Sequence, residues 1–103
     1  MEIVPAIAKV RFASARPQQV PLADGSSYRV DLLCLEAGQE TRRAPGDRCY
    51  YVLMGAARIT VAARSAELAT GQMALLAADE PHSLANGGES RLVCLAISPA
   101  SSR

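Results

Sequence analysis

GQMALLAADEPHSLAN, Gly71 to Asn86, is the stretch on which the reading of the whole chain turns. Gly71 opens a short apolar run, Met73 to Ala77, of strand length rather than helix length. Asp79, Glu80 and Pro81 then supply turn residues, and a second short run starts at His82. A strand, a reversal at Asp79 to Pro81 and a returning strand with His82 facing inward account for the pattern. Asn86 tolerates the left-handed backbone that starts the next turn.

Working outward, the same strand-and-turn rhythm recurs. Tyr28 to Leu35 reads YRVDLLCL, bounded by Asp24, Gly25, Ser26 and Ser27 before it and by Gly38 after it. Cys49 to Met54, CYYVLM, is closed by Gly55. Arg58 to Ala62, RITVA, is rich in β-branched residues and alternates. Arg91 to Ile97, RLVCLAI, follows Asn86, Gly87 and Gly88. Lys9 to Phe12 and His82 to Leu84 are shorter strand candidates. One stretch, Ala62 to Thr70 (AARSAELAT), also has the length and composition for two helical turns. Short strands separated by recurrent Gly and Pro favour an all-β barrel or sandwich. The first 25 residues carry Pro5, Pro17 and Pro21, so a strand there is expected at a sheet edge. The C-terminal PASSR is expected to fray.

Composition narrows the class. The chain has 103 residues, 50% apolar and 20% charged, which is globular composition and is read as one domain over 1–103 with an N-terminal edge segment over 1–25. A net charge of +1 gives no electrostatic case for nucleic acid or an anionic membrane surface. No apolar run approaches the roughly 20 residues of a membrane span. The start, MEIVPAIAKVRF, lacks a basic segment followed by a long apolar one, so no signal peptide is expected. Cys34, Cys49 and Cys94 are odd in number and widely spaced, which fits reduced thiols and a cytoplasmic location.

Two stretches resemble the two motifs of the cupin family. The second motif runs Gly, five residues, Pro, one residue, Gly, two residues, His, three residues, Asn. Gly71, His82 and Asn86 match it in identity and spacing, whereas Ala77 and Asp79 stand where Pro and Gly are usual. The first motif runs Gly, five residues, His, one residue, His, three or four residues, Glu, six residues, Gly. Gly38 and Gly55 can serve as its ends, and Tyr51 to Gly55, YVLMG, is typical of its closing strand. Counting back from Gly55 puts Arg48 at the glutamate position and Arg42 and Ala44 at the histidine positions. Counting from Gly38 gives Ala44 and Gly46 instead. The resemblance covers about 28–97. It implies an antiparallel β-barrel (double-stranded β-helix, or jelly roll) and a homodimer through a sheet face or exchanged edge strands. Several strands apolar on both faces ask for such cover independently.

The departure from the motif governs the functional reading. Cupin metal sites resemble one another in using three His and one Glu, a donor set suited to Fe, Mn, Ni or Zn. This chain has one histidine, and Arg48 stands at the anionic position. Arginine neither deprotonates nor coordinates, and its charge repels a divalent ion. No metal and no other cofactor are therefore expected. His82 has three readings: a pocket histidine bonded to backbone or water, a ligand contact, or a metal ligand completed by Cys49, Glu40, Asp47 or a neighbouring chain. Arg42, Arg43 and Arg48 form a basic cluster. Arg43 fits a solvated loop, while the motif register turns Arg48 inward, toward either an internal carboxylate (Asp31 or Glu36) or an anionic ligand. Tyr50, two residues on, shares the face of Arg48, and Cys49 faces away. A Ser83, His82, Asp79 arrangement can be written from common residue types only. The resulting expectation is a homodimeric binding module holding a small anionic molecule near His82, Arg48, Tyr50 and Arg42, with no catalytic residue assigned. The alternatives are an isomerase-like or dioxygenase-like enzyme with a reduced metal site or acid–base chemistry at His82, and a filled barrel serving as a structural partner.

Overall fold

The structure, a computed structural model, describes residues 1–43, 47–77 and 80–100, with Arg43 described in its backbone only. Ala44, Gly46 and Asp79, which enter the motif counts above, lie outside the described residues. After a 3₁₀ turn over Ala6–Lys9 the described residues form nine strands: β1 (Gln18–Asp24), β2 (Tyr28–Leu35), β3 (Glu40–Arg43), β4 (Arg48–Met54), β5 (Ala57–Val61), β6 (Arg64–Leu68), β7 (Met73–Leu76), β8 (His82–Ala85) and β9 (Leu92–Pro99). They make two antiparallel sheets, one in the order β1-β2-β9-β4-β7 and the other β3-β8-β5-β6. Among the described residues no helix is long and apolar enough to cross a membrane.

The deciding stretch behaves differently from a simple hairpin. β7 pairs with β4 in the first sheet, whereas β8 pairs with β3 and β5 in the second. The chain between them therefore crosses from one sheet to the other. Each sheet combines neighbours in sequence with strands distant in sequence, as in β2 lying between β1 and β9.

Strand alternation sorts the side chains into two faces. Leu33, Leu35, Tyr50, Val52, Cys94, Ala96 and Leu92 of the first sheet pack against Ala57, Ile59, Leu68 and Leu84 of the second, forming the core between the sheets. The other face of the first sheet carries Leu32, Cys34 and Val93, and there the N-terminal segment lays Val10 and Phe12 over them. Lys9 to Phe12, read as a short strand, is instead the end of the 3₁₀ turn followed by extended cover. Phe12 is pinned by the Arg91 guanidinium, 4.5 Å above its ring, and Gln39 reaches back to the Ala13 carbonyl at 2.7 Å.

Ala62 to Thr70 is not helical: Arg64–Leu68 is a strand joined to β5 by the two residues Ala62 and Ala63. Ala62 takes φ 55°, a conformation an alanine adopts at a cost, and no Gly or Asn marks the turn in sequence. β1 is indeed an edge strand, and its register shifts just after Pro21. The three motif glycines all have positive φ: 82° at Gly38, 83° at Gly55 and 86° at Gly71. Asn86, by contrast, has no positive φ, so its role is not the left-handed turn expected from sequence. It is buried, and its side-chain amide donates to the carbonyls of Leu35 (3.0 Å) and Ser90 (2.8 Å) while its Oδ1 accepts from Gly88 N–H (3.1 Å). Asn86 thus satisfies the loose backbone where β2, β8 and the approach to β9 meet.

Gly55 and Gly38 differ in a way that denaturation can read. A Cβ on Gly55 would sit 2.4 Å from the Arg91 carbonyl oxygen, whereas one on Gly38 meets nothing within 4 Å. Gly38→Ala then carries only the left-handed strain, about 1–2 kcal/mol, and Gly55→Ala adds a backbone collision. The urea midpoint of Gly55→Ala is expected to fall at least twice as far as that of Gly38→Ala; equal shifts would contradict the close approach.

Candidate functional site

The core between the sheets is apolar at one end and polar at the other. Toward the polar end the first sheet presents, across its strands, the row Asp31, Ala96, Tyr50 and Ala74, aligned by the registers Asp31↔Ala96, Tyr50↔Ala96 and Tyr50↔Ala74. The second sheet answers with His82, which pairs with Val61 of β5. Both Tyr50 and His82 are buried, at 0% and 5% exposure. The Tyr50 hydroxyl and His82 Nε2 lie 2.7 Å apart, with the rings edge-on at 5.4 Å between centroids.

The geometry settles the tautomer of the neutral ring. His82 Nδ1 is 3.1 Å from the Glu80 carbonyl oxygen, which only accepts, so Nδ1 carries the hydrogen and donates. Nε2 then accepts, and the Tyr50 hydroxyl donates to it. His82 is thus bonded to backbone on one side and, on the other, to Tyr50 from the opposite sheet.

Arg48 stands one row nearer the rim. It pairs with Leu76, a core residue, and alternates with Cys49, so it leaves β4 on the face of Tyr50. It is half-buried, and its Nε is buried without a hydrogen-bond partner among the described residues. The two carboxylates considered for it are engaged elsewhere. Asp31 accepts from Gln19 Nε2 at 3.0 Å and lies 3.7 Å from Arg29 Nη2, and Glu36 is paired with Arg91 at 3.1 Å. An open depression of about 440 Å³ runs along the rim here, lined by Arg48, Ser98, Tyr28, Leu76 and, from the outer face, Cys49 and Ile97.

Arg42 does not join this group. It pairs with Ser83, the residue that alternates with His82, and its side chain is 85% exposed, 3.9 Å from Glu40. The motif count placed it at a histidine position, but strand alternation on β3 turns it into solvent. Ser83 lies on that outer face as well, so Ser83 and His82 diverge and no nucleophile–base pair forms. Of the cysteines, Cys34 and Cys94 are buried and Cys49 is half-buried on the outer face. Burial pushes the Cys94 thiol up to about 12, which leaves no thiolate for chemistry near neutral pH.

The residues present do not fit a transition metal. Both ring nitrogens of the one histidine are engaged in the bonds just described, and Glu40 is turned outward beside Arg42. Among the described residues no group of three His, Cys, Asp or Glu side chains converges.

Two residues at this end went unremarked as a pair in the sequence reading, Arg29 and Asp31. The signal was available: in YRVDLLCL they stand two apart and so share one face of a strand whose inward positions are otherwise Leu33 and Leu35.

Comparison with known proteins agrees with the architecture. The family model described as a cupin domain matches residues 32–98. No curated protein matches in sequence. Among solved structures, the chain is similar to a protein of Thermus thermophilus, with a TM-score of 0.89 and 26% identity over 98% of this chain and 100% of that one. It is also similar to a conserved Streptococcus pyogenes protein of unknown function, with a TM-score of 0.79 and 22% identity over 99% and 90%. A third is a cupin superfamily protein of Desulfitobacterium hafniense, with a TM-score of 0.81 and 20% identity over 97% and 92%.

Tyr50→Phe keeps the ring volume and removes the hydroxyl that bonds to His82 across the sheets. Removing one partner of a buried hydrogen bond costs about 1–3 kcal/mol. Thermal unfolding should show Tyr50→Phe destabilised within that range; an unchanged melting temperature would show that the bond contributes nothing net.

Proposed function

Because the chain belongs to the cupin family, we propose that it is a binding module without metal chemistry, which takes a small anionic molecule at the polar end of its barrel. One observation carries this reading: a half-buried guanidinium, Arg48, whose Nε is sheltered from water and hydrogen-bonded to nothing among the described residues. A sheltered, unmet donor on a permanently charged group is costly to keep unless something complements it. Guanidinium offers paired donors that match carboxylate and phosphate oxygens. Tyr50 and His82 lie buried one row further in, and the rim depression of about 440 Å³ beside Arg48 lies within the usual range for small-molecule sites. Cupin barrels host many functions, so the fold by itself adds nothing to the choice of ligand.

The reading includes a homodimer. The outer face of the first sheet exposes Met73 (56%) and Leu75 (76%), and the registers place half-buried Tyr51, Leu95, Cys49 and Ile97 beside them. The N-terminal segment covers the β2 side of this face and leaves the β4 and β7 side open. A second copy of the same chain would cover it with like surface, burying on the order of 1,600 Å² in total.

Two measurements test these statements. In NMR titrations with acetate and with inorganic phosphate, Arg48→Met should keep its fold and bind both anions at least tenfold more weakly, about 1.4 kcal/mol. Undiminished binding by that variant sinks the assignment of Arg48. In light scattering at micromolar concentration the chain should have the mass of a dimer and Leu75→Glu that of a monomer. A monomeric parent protein counts against the dimer without touching the pocket.

A further inference from the structure

Arg48 is not the only arginine at the polar end. Arg29 of β2 pairs with Ser98 of β9, and the adjoining register Cys49↔Ile97 brings Arg48 of β4 to the other flank of Ser98. Alternation puts Arg29 on the face of Asp31 and Leu33, and Arg48 on the face of Tyr50. Two guanidinium side chains therefore leave one face of one sheet, in one row, from strands two apart. Two strand spacings set their backbones about 10 Å apart, with only the small Ser98 between.

Both arginines share an unusual feature, a buried Nε that bonds to nothing among the described residues. Their charge balance is also incomplete. Asp31 is the one buried carboxylate among the described residues, 3.7 Å from Arg29, and its Oδ1 has no hydrogen-bond partner there. That separation is beyond hydrogen-bonding reach. Asp24, opposite Arg29 in register, and Asp47, next to Arg48 in the chain, are exposed, and neither makes an ion pair among the described residues. Two fixed cations thus stand against one buried carboxylate, which accepts a hydrogen bond from Gln19 at 3.0 Å. The Arg29 side chain remains 33% exposed, and on the other flank Arg48 and Ser98 line the open depression at the rim together with the exposed Asp47.

We propose that Arg29 and Arg48 form a two-armed clamp for a small molecule carrying a doubly charged anionic group, a phosphate or a pair of carboxylates. Ser98 supplies a hydroxyl donor between the arms, and Asp31 holds Arg29 in the unliganded protein as a competitor for the same guanidinium. The clamp rests on the reading of Arg48 as an anion-binding residue. It adds that a second arginine sets the preference for two charges over one.

The test compares acetate, succinate and inorganic phosphate at pH 8 and constant ionic strength by NMR titration. The parent protein should bind one of the two dianions at least tenfold more tightly than acetate. The better of the two identifies the ligand group as phosphate or dicarboxylate. Arg29→Met should abolish that preference, weakening the dianion far more than acetate. Because this variant strands a buried Asp31, Arg29→Met with Asp31→Asn provides a second form that removes both charges together. Asp31→Asn alone should bind the preferred dianion at least threefold more tightly, since the competing carboxylate is gone. An intact dianion preference in both Arg29 variants overturns the clamp and leaves Arg48 as a single-arm site. Unchanged or weaker dianion binding by Asp31→Asn also overturns it. A loss confined to the Arg29 variants, with Arg48→Met undiminished, overturns the reading of Arg48 and with it the clamp.

Discussion

Two sheets packed face to face must fill the space between them with side chains that leave each strand at every second position. Over most of the interior Leu, Val, Ile and Ala meet that demand, and transfer from water is enough to hold them there. At one end the demand is met by a phenol and an imidazole, joined at 2.7 Å across the gap. The bond works because each partner has its remaining polarity settled locally. The Glu80 carbonyl fixes the imidazole hydrogen on Nδ1, which frees Nε2 to accept from Tyr50. A polar contact of this kind closes the core without leaving a buried donor unmet, and it marks where apolar filling ends and a charged rim begins.

That division explains how much of the fold was legible. β2 was readable to the residue, because Tyr28–Leu35 is nearly continuous in apolar side chains and serves two cores at once, one between the sheets and one beneath the N-terminal segment. β4, β5, β7 and β9 were readable for similar reasons. β3 and β6 were not. Glu40–Arg43 is polar, and four of the five residues of Arg64–Leu68 are exposed, so neither carries a periodic apolar signal. The turn before β6 uses Ala62 where glycine or asparagine would have announced it. β1 was hidden by Pro21, which the sheet accommodates at an edge beside a register shift.

The site was legible in part, and the difference between Arg48 and Arg42 shows why. Counting back from Gly55 gives a face for Arg48 because both lie at the ends of one strand, where alternation is strict apart from a bulge near Met54. Arg42 was counted across the interval between β3 and β4, where strand alternation does not carry over, and it proved to be outward. Asn86 was identified correctly as a fixed point but for the wrong reason. Asparagine in a turn has two uses, a tolerant backbone and a hydrogen-bonding amide, and sequence does not separate them. Here the amide is what matters, reaching the Leu35 carbonyl from fifty-one residues away in the chain.

An arginine at the barrel end differs in physical character from a bound metal ion. A bound divalent ion is a removable charge, present only while its ligands are deprotonated and the metal is supplied. A guanidinium is a permanent one, insensitive to pH across the physiological range. The barrel gives such a charge a partly sheltered position, where its field is less screened than in open water. It also sets beneath that charge the Tyr50–His82 pair, whose polar atoms bond to each other and to backbone. Any contribution of Tyr50 or His82 to recognition therefore begins with disturbing a bond that closes the core. The side chains with unmet donors stand one row above, on the rim, where β2, β9 and β4 run side by side.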